Sequence, residues 1–447
     1  MVRFWDRFRR KGKKNIGVWE SLQAIVFSSW LNILLVFIPI AWVSHFLHWP
    51  SRTTFALAFL AIIPLEWLVE WAGDEMAHYL GKDLGDLLIV TLHNAVEATL
   101  AIILLTHCDL SLLKSTITGV VILHLLLVPG TAFITGGARV LHQDLHPHLT
   151  ELNHSLLTLG VLSLMLPAAF FAAINTNFNP SGTAEANESI VNDTLRGHML
   201  KMSRGISFCL LFIYICSRIY LHIPPGEKEE VHSQLPDALK KEELHLQRNE
   251  PRLNQYVGIV LLAVVLGLMA ATAEWLVKSL NFAREDTNIQ LEWFGLILLP
   301  LVSYAADGTV AIVYFLRHLL RHFFREPSPP QTLAKGRAID LSIQFTLFWM
   351  PFFVLLGWWT GRPMTLLFDF FEVAVLIGAC FIVNYVTADS KTNWAEGATM
   401  VSFYVMIAVC AWYYPGQTEN RIMSTCPQTV AEALEALASG HSLEGHH

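Results

Sequence analysis

The chain has 447 residues, of which 53% are hydrophobic and only 15% are charged. A soluble domain carries about a quarter charged residues, so this composition, with a mean hydropathy of +0.45, excludes a single water-soluble globule and a disordered chain. Repeated apolar stretches of about 20 residues are typical of a polytopic, all-α membrane protein. The formal net charge of −7 gives no reason to expect a nucleic-acid partner; the expected partners are membrane lipid, an inorganic cation and protons.

Hydropathy predicts eleven transmembrane helices in chain order. They cover residues 21–48, 54–72, 83–106, 112–137, 153–175, 202–222, 254–281, 292–318, 335–359, 367–388 and 396–415. The first apolar stretch is longer than the region of about 7–15 residues found in a cleavable signal peptide, so none is expected.

The distribution of basic residues predicts the orientation in the membrane. Residues 1–20 contain seven Lys and Arg, and a cytosolic N-terminus places 21 of the 30 Lys and Arg on the cytosolic side, as the positive-inside rule requires. An odd number of helices then places the C-terminus in the lumen. The glycosylation sequons that begin at Asn187 and Asn192 fall on the same luminal side.

The long acidic stretch 223–253 divides the helices into six and five. Without the first helix the division is five and five, and an odd number per half inverts the second half, as in many secondary transporters. The predicted organisation is a basic cytosolic N-terminus, an extra helix, a first repeat, an acidic cytosolic linker, a second repeat and a tail without an assigned role: 1–20, 21–48, 54–222, 223–253, 254–415 and 416–447.

Ionisable side chains inside these helices are the main functional candidates, since each costs about 3 kcal/mol or more in lipid. They are Glu66, Glu70, Glu97, Glu274, Asp307, Glu372, His93 and His124. Glu97 and Asp307 end apolar runs at matching depths of the two halves, which favours a shared role. A carboxylate holds either a cation or a proton, so one group in each half is typical of an exchanger.

Several of these residues have simpler interpretations. Glu66 and Glu70 share one helical face and either line a cation path or face water at the boundary. Glu274 has Lys278 one turn later, which is equally typical of a structural ion pair. Glu372 follows Asp369 at a helix start, where a carboxylate stabilises the positive end of the helix dipole.

Histidines and cysteines give weaker signals. The spacing of His93 and Glu97 suits a metal ligand pair, and the histidines of the 142–148 loop suit a zinc or pH sensor, although a solvated turn without a role is the simpler interpretation. The six cysteines form no metal pattern, and most of them lie inside apolar segments, where they are interpreted as small apolar side chains. Only Cys108 and Cys426 lie near helix ends, and a disulfide between them is not expected.

Several segments carry a family resemblance. They include Asn94-Ala95-Val96-Glu97, Leu166-Pro167-Ala168-Ala169-Phe170, Pro363-Met364-Thr365-Leu366 and Asn393-Trp394-x-Glu396-Gly397. Over residues 21–415 the chain resembles the cation/proton exchanger family, the vacuolar calcium/proton antiporters. The resemblance implies two inverted five-helix halves, no cofactor, and a site for cation and proton at Glu97, Asp307, Asn94, Ser342 and Gln344. Glu97 and Asp307 would be the metal ligands.

The second signature departs from that family. Its members carry Gly-Asn-Ala-x-Glu in both halves, with His commonly after the second, whereas the second signature of this chain reads Ser303-Tyr304-Ala305-Ala306-Asp307-Gly308. The first signature has His93 in place of Gly, and the next helix has Leu123-His124 where Ser-Asn is usual. These changes remove oxygen ligands from a site in which calcium favours about seven.

The sequence therefore predicts a secondary active transporter, not an enzyme, that exchanges calcium or a related cation for protons across a vacuolar membrane. Glu66, Glu70, His93, His124, Glu274 and Glu372 are candidates for an access path or proton relay. Two alternatives stay open at this point. One is a degenerate paralogue that no longer transports and serves as a regulatory or assembly subunit. The other is an intramembrane metal-dependent enzyme.

Overall fold

A computed structural model describes residues 8, 16–137, 143–145, 147–177, 191–221, 250–287, 290–320, 333–426, 429–432 and 434. Within these ranges the chain is almost entirely helical, which confirms the predicted all-α class. The helices are α1 (Val18–Val26), α2 (Phe37–Phe46), α3 (Ser51–Leu80), α4 (Lys82–His93), α5 (Ala95–Thr106), α6 (Leu110–Ile122), α7 (Val128–Gly137), α8 (Pro147–Asn177), α9 (Asp193–Leu221), α10 (Gln255–Thr287), α11 (Leu291–Trp293), α12 (Leu299–Leu320), α13 (Leu333–Gln344), α14 (Met350–Trp359), α15 (Phe370–Val386), α16 (Trp394–Trp412) and α17 (Thr418–Met423). A 3₁₀ turn, Trp30–Val36, joins α1 to α2.

In the described part of the chain, seven continuous helices are long and apolar enough to cross a membrane, and nine if two bent pairs each count as one span. One bent pair is formed by α1 and the turn leading into α2, at 87°, and the other by α4 and α5, at 53°. Two further apolar helices are shorter, 291–306 and α15. The structure thus supports a polytopic membrane protein, and the count of eleven spans stays a prediction.

Burial separates a central layer from a peripheral one. The span 110–136 and the span 339–359 are each 72% buried, whereas α9, α10 and α16 are 28% buried in their most apolar windows. The exposed face of α9 is apolar and carries Phe208, Phe212, Ile215 and Ile219, each more than half exposed. A continuous exposed apolar stripe of this kind fits contact with lipid and not with water, so the peripheral helices present their outer faces to the membrane.

Three central helices contain a π-helical turn, and each turn ends two residues before a proline. The turns are Leu123–Leu127, Phe294–Leu298 and Phe345–Trp349, which precede Pro129, Pro300 and Pro351. Proline lacks the N–H that an α-helix needs and its ring collides with the carbonyl four residues earlier. A wider turn at this point relieves that collision, and such turns occur often at functional sites.

A short β-ladder joins two loops at one end of the bundle. Gln143–Asp144 and Lys391–Thr392 form a two-stranded antiparallel ladder, β1 and β2, so the loops after α7 and after α15 lie at one end. Sequence analysis places both loops in the cytosol. At the same end, the backbone N–H of Arg252 donates to Glu75 at 2.6 Å, beside the acidic linker. Residues 223–249 of that linker lie outside the described part of the chain.

The opposite end is covered by residues 413–426, here called the C-terminal strap. Cys426 in this strap is paired with Cys108 of the α5–α6 loop, with Cα atoms 6.2 Å apart. The expectation that these two cysteines are unpaired is therefore wrong. The two residues are 318 positions apart in sequence, so only the tertiary fold brings them together. Both lie on the side predicted to be luminal, where disulfides persist more readily than in the cytosol.

Two buried charged residues, Lys114 and Asp369, also hold the strap, Lys114 as a hydrogen-bond donor and Asp369 as an acceptor. Lys114 of α6 is 1% exposed, and its Nζ donates to Ser424 Oγ at 2.7 Å, Asn420 Oδ1 at 3.3 Å and Thr365 Oγ1 at 2.9 Å. Asp369 accepts from the hydroxyl of Tyr414 at 2.7 Å and from the N–H of Gln417 at 2.9 Å. Burial and the Asp369 carboxylate raise the pKa of Tyr414, which keeps its hydroxyl protonated as the donor.

We predict that Cys108 and Cys426 form a disulfide and that Cys426→Ser lowers the stability of the purified protein. Closing a long loop contributes about 2–4 kcal/mol, so the apparent melting temperature in detergent falls. Peptide mapping without reductant detects the cross-link directly. The matched control is Cys410→Ser, which removes an exposed free thiol and leaves the melting temperature unchanged. Free Cys108 and Cys426 in the unreduced wild-type protein would contradict the pairing.

Candidate functional site

Glu97 lies at the break between α4 and α5. The helix axis turns by 53° at this break, and Asn94 is the residue between the two helices. Glu97 belongs to the first turn of α5 and is only 2% exposed. A carboxylate in the first turn of a helix is stabilised by the N–H groups that have no partner inside the helix. The break therefore supplies a favourable local field to a group that the membrane interior disfavours.

Asn94 connects the first half to the second through a buried amide pair. Its Nδ2 donates to Oε1 of Gln344 at 2.7 Å, and Nε2 of Gln344 donates to Oγ1 of Thr91 at 3.0 Å. Asn94 and Gln344 are 0% and 1% exposed. The carbonyl oxygen Asn94 Oδ1 is buried and accepts no hydrogen bond from the residues that the structure describes. It is thus a buried oxygen one helical turn from Glu97 and available to a ligand.

The imidazole of His124, on a neighbouring helix, lies close to the carboxylate of Glu97. It lies in the π-helical turn Leu123–Leu127, and its Nε2 is 3.8 Å from Oε1 of Glu97. Both side chains are buried, at 8% and 2% exposure. His93 was predicted to share a metal with Glu97. In the structure the imidazole near Glu97 is that of His124, whereas the ring of His93 lies 3.8 Å from Glu70.

In the second half, Tyr304 and Gly308 both depart from the family pattern, and they pack against each other. The hydroxyl of Tyr304 in α12 is 2.6 Å from Oγ1 of Thr131 in α7. A Cβ atom added at Gly308 would lie 2.8 Å from the Tyr304 ring, closer than real contacts, so Gly308 provides the space for that ring. Asp307 belongs to α12, and its side chain lies outside the described part of the structure. Ser342 of α13 is fully buried, and its carbonyl accepts from Thr346 at 2.9 Å.

Close packing of α6 on the π-helical turn Phe294–Leu298 sets the distance between the halves. A Cβ atom at Gly119 would lie 2.3 Å from the carbonyl oxygen of Leu296, and one at Gly295 would lie 2.6 Å from Cβ of Ser115. Any side chain at either position would force the helices apart, so glycine is required for this approach. The contact lies on the helices that carry His124 and Tyr304.

The structure brings together Glu70 and His93, two of the predicted path residues. His93 Nε2 is 3.8 Å from Glu70 Oε1, and each side chain is 12% exposed. The other ring nitrogen of His93, Nδ1, lies 2.8 Å from the carbonyl oxygen of Ile89. Glu66 lies one turn from Glu70 in α3 and is 4% exposed. Glu66 is buried, and only 12% of the Glu70 side chain is exposed, so the interpretation that they simply face water is disfavoured.

Glu274 forms the ion pair with Lys278 that the sequence spacing predicted, and it also contacts His107. Its Oε1 lies 3.0 Å from Lys278 Nζ and 2.8 Å from His107 Nε2, with 30% of the side chain exposed. This ion-pair network lies at the end of the bundle that carries the α5–α6 loop. The arrangement favours the structural interpretation of Glu274 over a role in the path.

Glu372 is 1% exposed and lies in the first turn of α15, next to the cap that Asp369 forms. Both of its interpretations, dipole stabiliser and transport residue, remain compatible with this placement. Lys114 is a buried cation, 1% exposed, that the sequence analysis does not single out although it lies inside the predicted span 112–137. The signal was a lysine within an otherwise apolar and hydroxyl-rich run.

Other predicted features have limited support from the structure. Asn192 is exposed, and its Oδ1 accepts from the N–H of Leu195 at 2.8 Å, so it caps α9. Asn187 lies outside the described residues, and so do His142, His146 and the side chain of His148. Among the side chains that the structure describes, no group of three or more His, Cys, Asp or Glu residues is arranged to hold a metal.

Comparison with known proteins identifies the family. The profile described as sodium/calcium exchanger protein matches residues 50–221 and 257–413. The chain belongs to this family. It is 31% identical to the vacuolar calcium ion transporter of Cryptococcus neoformans var. grubii over 91% of this chain and 77% of that protein. It is also 31% identical to the Ca(2+)/H(+) antiporter of Synechocystis sp. over 86% of this chain and 97% of that protein. The predicted resemblance is thus confirmed.

Solved structures show the same fold. The structure of native YfkE matches with a TM-score of 0.64 and 22% identity, covering 86% of this chain and all of that one. The H+/Ca2+ exchanger CAX matches with a TM-score of 0.57 and 16% identity, covering 94% and 95%. The two exchanger-family matches, 50–221 and 257–413, meet at the acidic linker, where sequence analysis divides the chain.

We predict that Glu274→Gln leaves cation exchange unchanged within roughly twofold, because a partly exposed ion pair contributes about 0.2–1 kcal/mol to stability and nothing to the site at Glu97. The measurement is proton-gradient-driven calcium uptake into proteoliposomes, normalised to the amount of folded protein. Loss of uptake in this variant would show that Glu274 belongs to the transport path.

Proposed function

We propose that this integral membrane protein is a secondary active transporter that exchanges calcium, or a related divalent cation, for protons. The observation that carries the proposal is the position of Glu97. It is a buried carboxylate in the first turn after a helix break, 3.8 Å from the imidazole of His124. Three residues earlier, the buried carbonyl oxygen of Asn94 accepts no hydrogen bond from the residues that the structure describes. The names of the fungal and cyanobacterial relatives, which state calcium transport and calcium/proton antiport, support the same reaction, and the fungal name supports a vacuolar membrane.

The coupling follows from the cost of charge inside the membrane. An ionised carboxylate in a spanning helix costs about 3 kcal/mol or more unless it is compensated. A bound cation or a bound proton provides that compensation, and the two exclude one another at the same oxygens. Glu97 therefore loads a cation when it faces one side and a proton when it faces the other. Exchange results when the site changes sides readily only with a cation or a proton bound, and not when the carboxylate is empty.

Residues from the second half complete the proposed site. Asp307 takes the position in α12 that corresponds to Glu97, while Gln344 orients Asn94 by a direct hydrogen bond. Ser342 is a buried neighbour of Gln344. The proposal includes two inverted five-helix repeats, 54–222 and 254–415, behind one extra helix, which gives eleven spans. It places the N-terminus in the cytosol and the C-terminus in the lumen.

Glu70 and His93 extend the site toward the cytosolic end. Both lie on the side of Glu97 that leads to the loop between α3 and α4, and their side chains are 3.8 Å apart. An acid and an imidazole at this distance pass a proton through a small rearrangement or hold a passing cation. In the proposed orientation they form the cytosolic access path, together with Glu66.

We predict that Glu97→Gln abolishes proton-gradient-driven calcium uptake into proteoliposomes. The amide keeps the shape of the carboxyl group but carries no charge and takes up no proton, so neither half of the exchange operates. The wild type should take up calcium when the vesicle interior is acidic and stop when the gradient is dissipated.

The Glu274→Gln variant serves as the matched control, because it removes a carboxylate outside the proposed site. Uptake that persists in Glu97→Gln would disprove the role of Glu97. A folded and correctly inserted wild-type protein that moves no cation would instead favour the degenerate, non-transporting alternative.

A further inference from the structure

Helix α1 stands at 87° to the helical segment that follows it and exposes an apolar face. We propose that α1 lies in the cytosolic interface of the membrane, with this face among the lipids, and that the basic run before α1 binds anionic lipid headgroups. The inference concerns an interaction surface and its partner, and it does not depend on the proposed exchange at Glu97.

The segment after α1 is long enough to cross the membrane without it. The 3₁₀ turn Trp30–Val36 has seven residues and α2 has ten, so together they extend over about 30 Å. The hydrocarbon core of a bilayer has about the same thickness. Because α1 turns away from this axis by 87°, a membrane-crossing position of the segment places α1 along the membrane surface.

The bend after α1 is held by side chains. Nδ2 of Asn32 donates to the carbonyl oxygens of Ile25 at 2.8 Å and of Val26 at 3.1 Å, in the last turn of α1, where a helix leaves such groups without helical partners. Oγ of Ser29 accepts from the N–H of Leu31 at 3.2 Å and caps the 3₁₀ turn. The right angle is therefore a built corner of the fold.

Helix α1 has three distinct faces. The face toward the protein carries Ser21, Ala24 and Ile25, and the exposed polar side chains of Glu20 and Gln23 occupy a second face. The third face covers about 100° of the helix surface and is formed by apolar side chains that are each 45–72% exposed: Val18, Trp19, Leu22 and Val26. Contact with protein, water and lipid on three sides is typical of a helix that lies in the membrane interface, where tryptophan is enriched.

A run of basic residues is anchored beside α1. Residues 9–14 contain five Lys and Arg and no Asp or Glu. On one side of this run, the ring of Phe8 lies 6.3 Å from the ring of Tyr79, near the end of α3. On the other side, the carbonyl oxygen of Ile16 accepts from Nδ2 of Asn254 at 2.8 Å, just before α10.

The two flanking residues, Phe8 and Ile16, thus hold the basic run at the end of the bundle that is predicted to be cytosolic. The cytosolic leaflet carries anionic lipids that attract clusters of Lys and Arg. Charge complementarity therefore selects anionic lipid as the partner, while the apolar face of α1 supplies the insertion into the bilayer.

The test is hydrogen–deuterium exchange of the full-length protein in nanodiscs that hold one chain each. Discs of phosphatidylcholine are compared with discs that also contain phosphatidylserine. Each Lys or Arg near an anionic surface strengthens binding by about fivefold, so the amides of α1 should exchange about tenfold or more slowly in the anionic discs. High salt should remove this difference, and the amides of α6, inside the bundle, report that the protein stays folded.

Two variants test the two parts of the surface. Replacement of the five Lys and Arg of 9–14 by Gln should abolish the response to phosphatidylserine. The double variant Trp19→Gln with Leu22→Gln should speed the exchange of α1 in both kinds of disc, because the apolar face is lost. The matched control is Gln23→Ala, which changes an exposed polar side chain of the same helix and should leave the exchange of α1 as in the wild type.

Four results would overturn the inference. Equal exchange of α1 in neutral and anionic discs, or a response that survives loss of the basic run, would exclude anionic lipid as the partner. Unchanged exchange in the Trp19→Gln, Leu22→Gln variant would exclude insertion of the apolar face. Slower exchange in neutral discs on addition of inorganic phosphate would indicate a site for free anions, and protection only in discs with two chains would assign the face to a second copy of this chain.

Discussion

The unfavourable energy of a carboxylate inside a membrane is the constraint on which the rest of this structure depends. Glu97 meets it with two devices: its place in the first turn after a helix break, and the imidazole of His124, which lies 3.8 Å away. Each device needs a different part of the chain to be in place. The amide pair between Asn94 and Gln344 fixes the break against α13, and the contact at Gly119 and Gly295 fixes the helices that carry the other groups. The site is therefore a product of how the two halves are packed together.

The altered second signature looks like decay in sequence, but its parts are mutually adjusted in space. Tyr304 has a hydrogen-bond partner in Thr131, and the missing side chain at position 308 leaves room for the Tyr304 ring. Tyr304 and Gly308 are therefore compatible with the close packing of α7 against α12.

Apolar runs alone carry the all-α membrane class, and the structure confirms that class. The residues Asn94 and Gln344 followed from the family resemblance, and the structure places their side chains 2.7 Å apart. The five-and-five division at the acidic linker stays a prediction. Sequence reasoning failed where the decisive contact joins distant segments. The pairing of Cys108 with Cys426, and the hydrogen bonds of Lys114, depend on where the tail folds after α16. The approach of His124 to Glu97 also depends on the rotation that a π-helical turn gives to its helix, and no local pattern reveals that rotation.

The C-terminal strap places a limit on how the proposed halves can move. It continues from α16 of the second half, yet Cys426 joins it covalently to Cys108 of the first half, and Lys114 of the first half binds it as well. Among the residues that the structure describes, no second disulfide joins the two halves at the cytosolic end. Alternating access requires the luminal ends of the halves to separate at some stage. That separation must be absorbed by the residues between α16 and Cys426, so the contacts of Asp369 with Tyr414 and Gln417 have to break. The direct hydrogen bond from Lys114 to Thr365 has to break as well, while the covalent link bounds the opening.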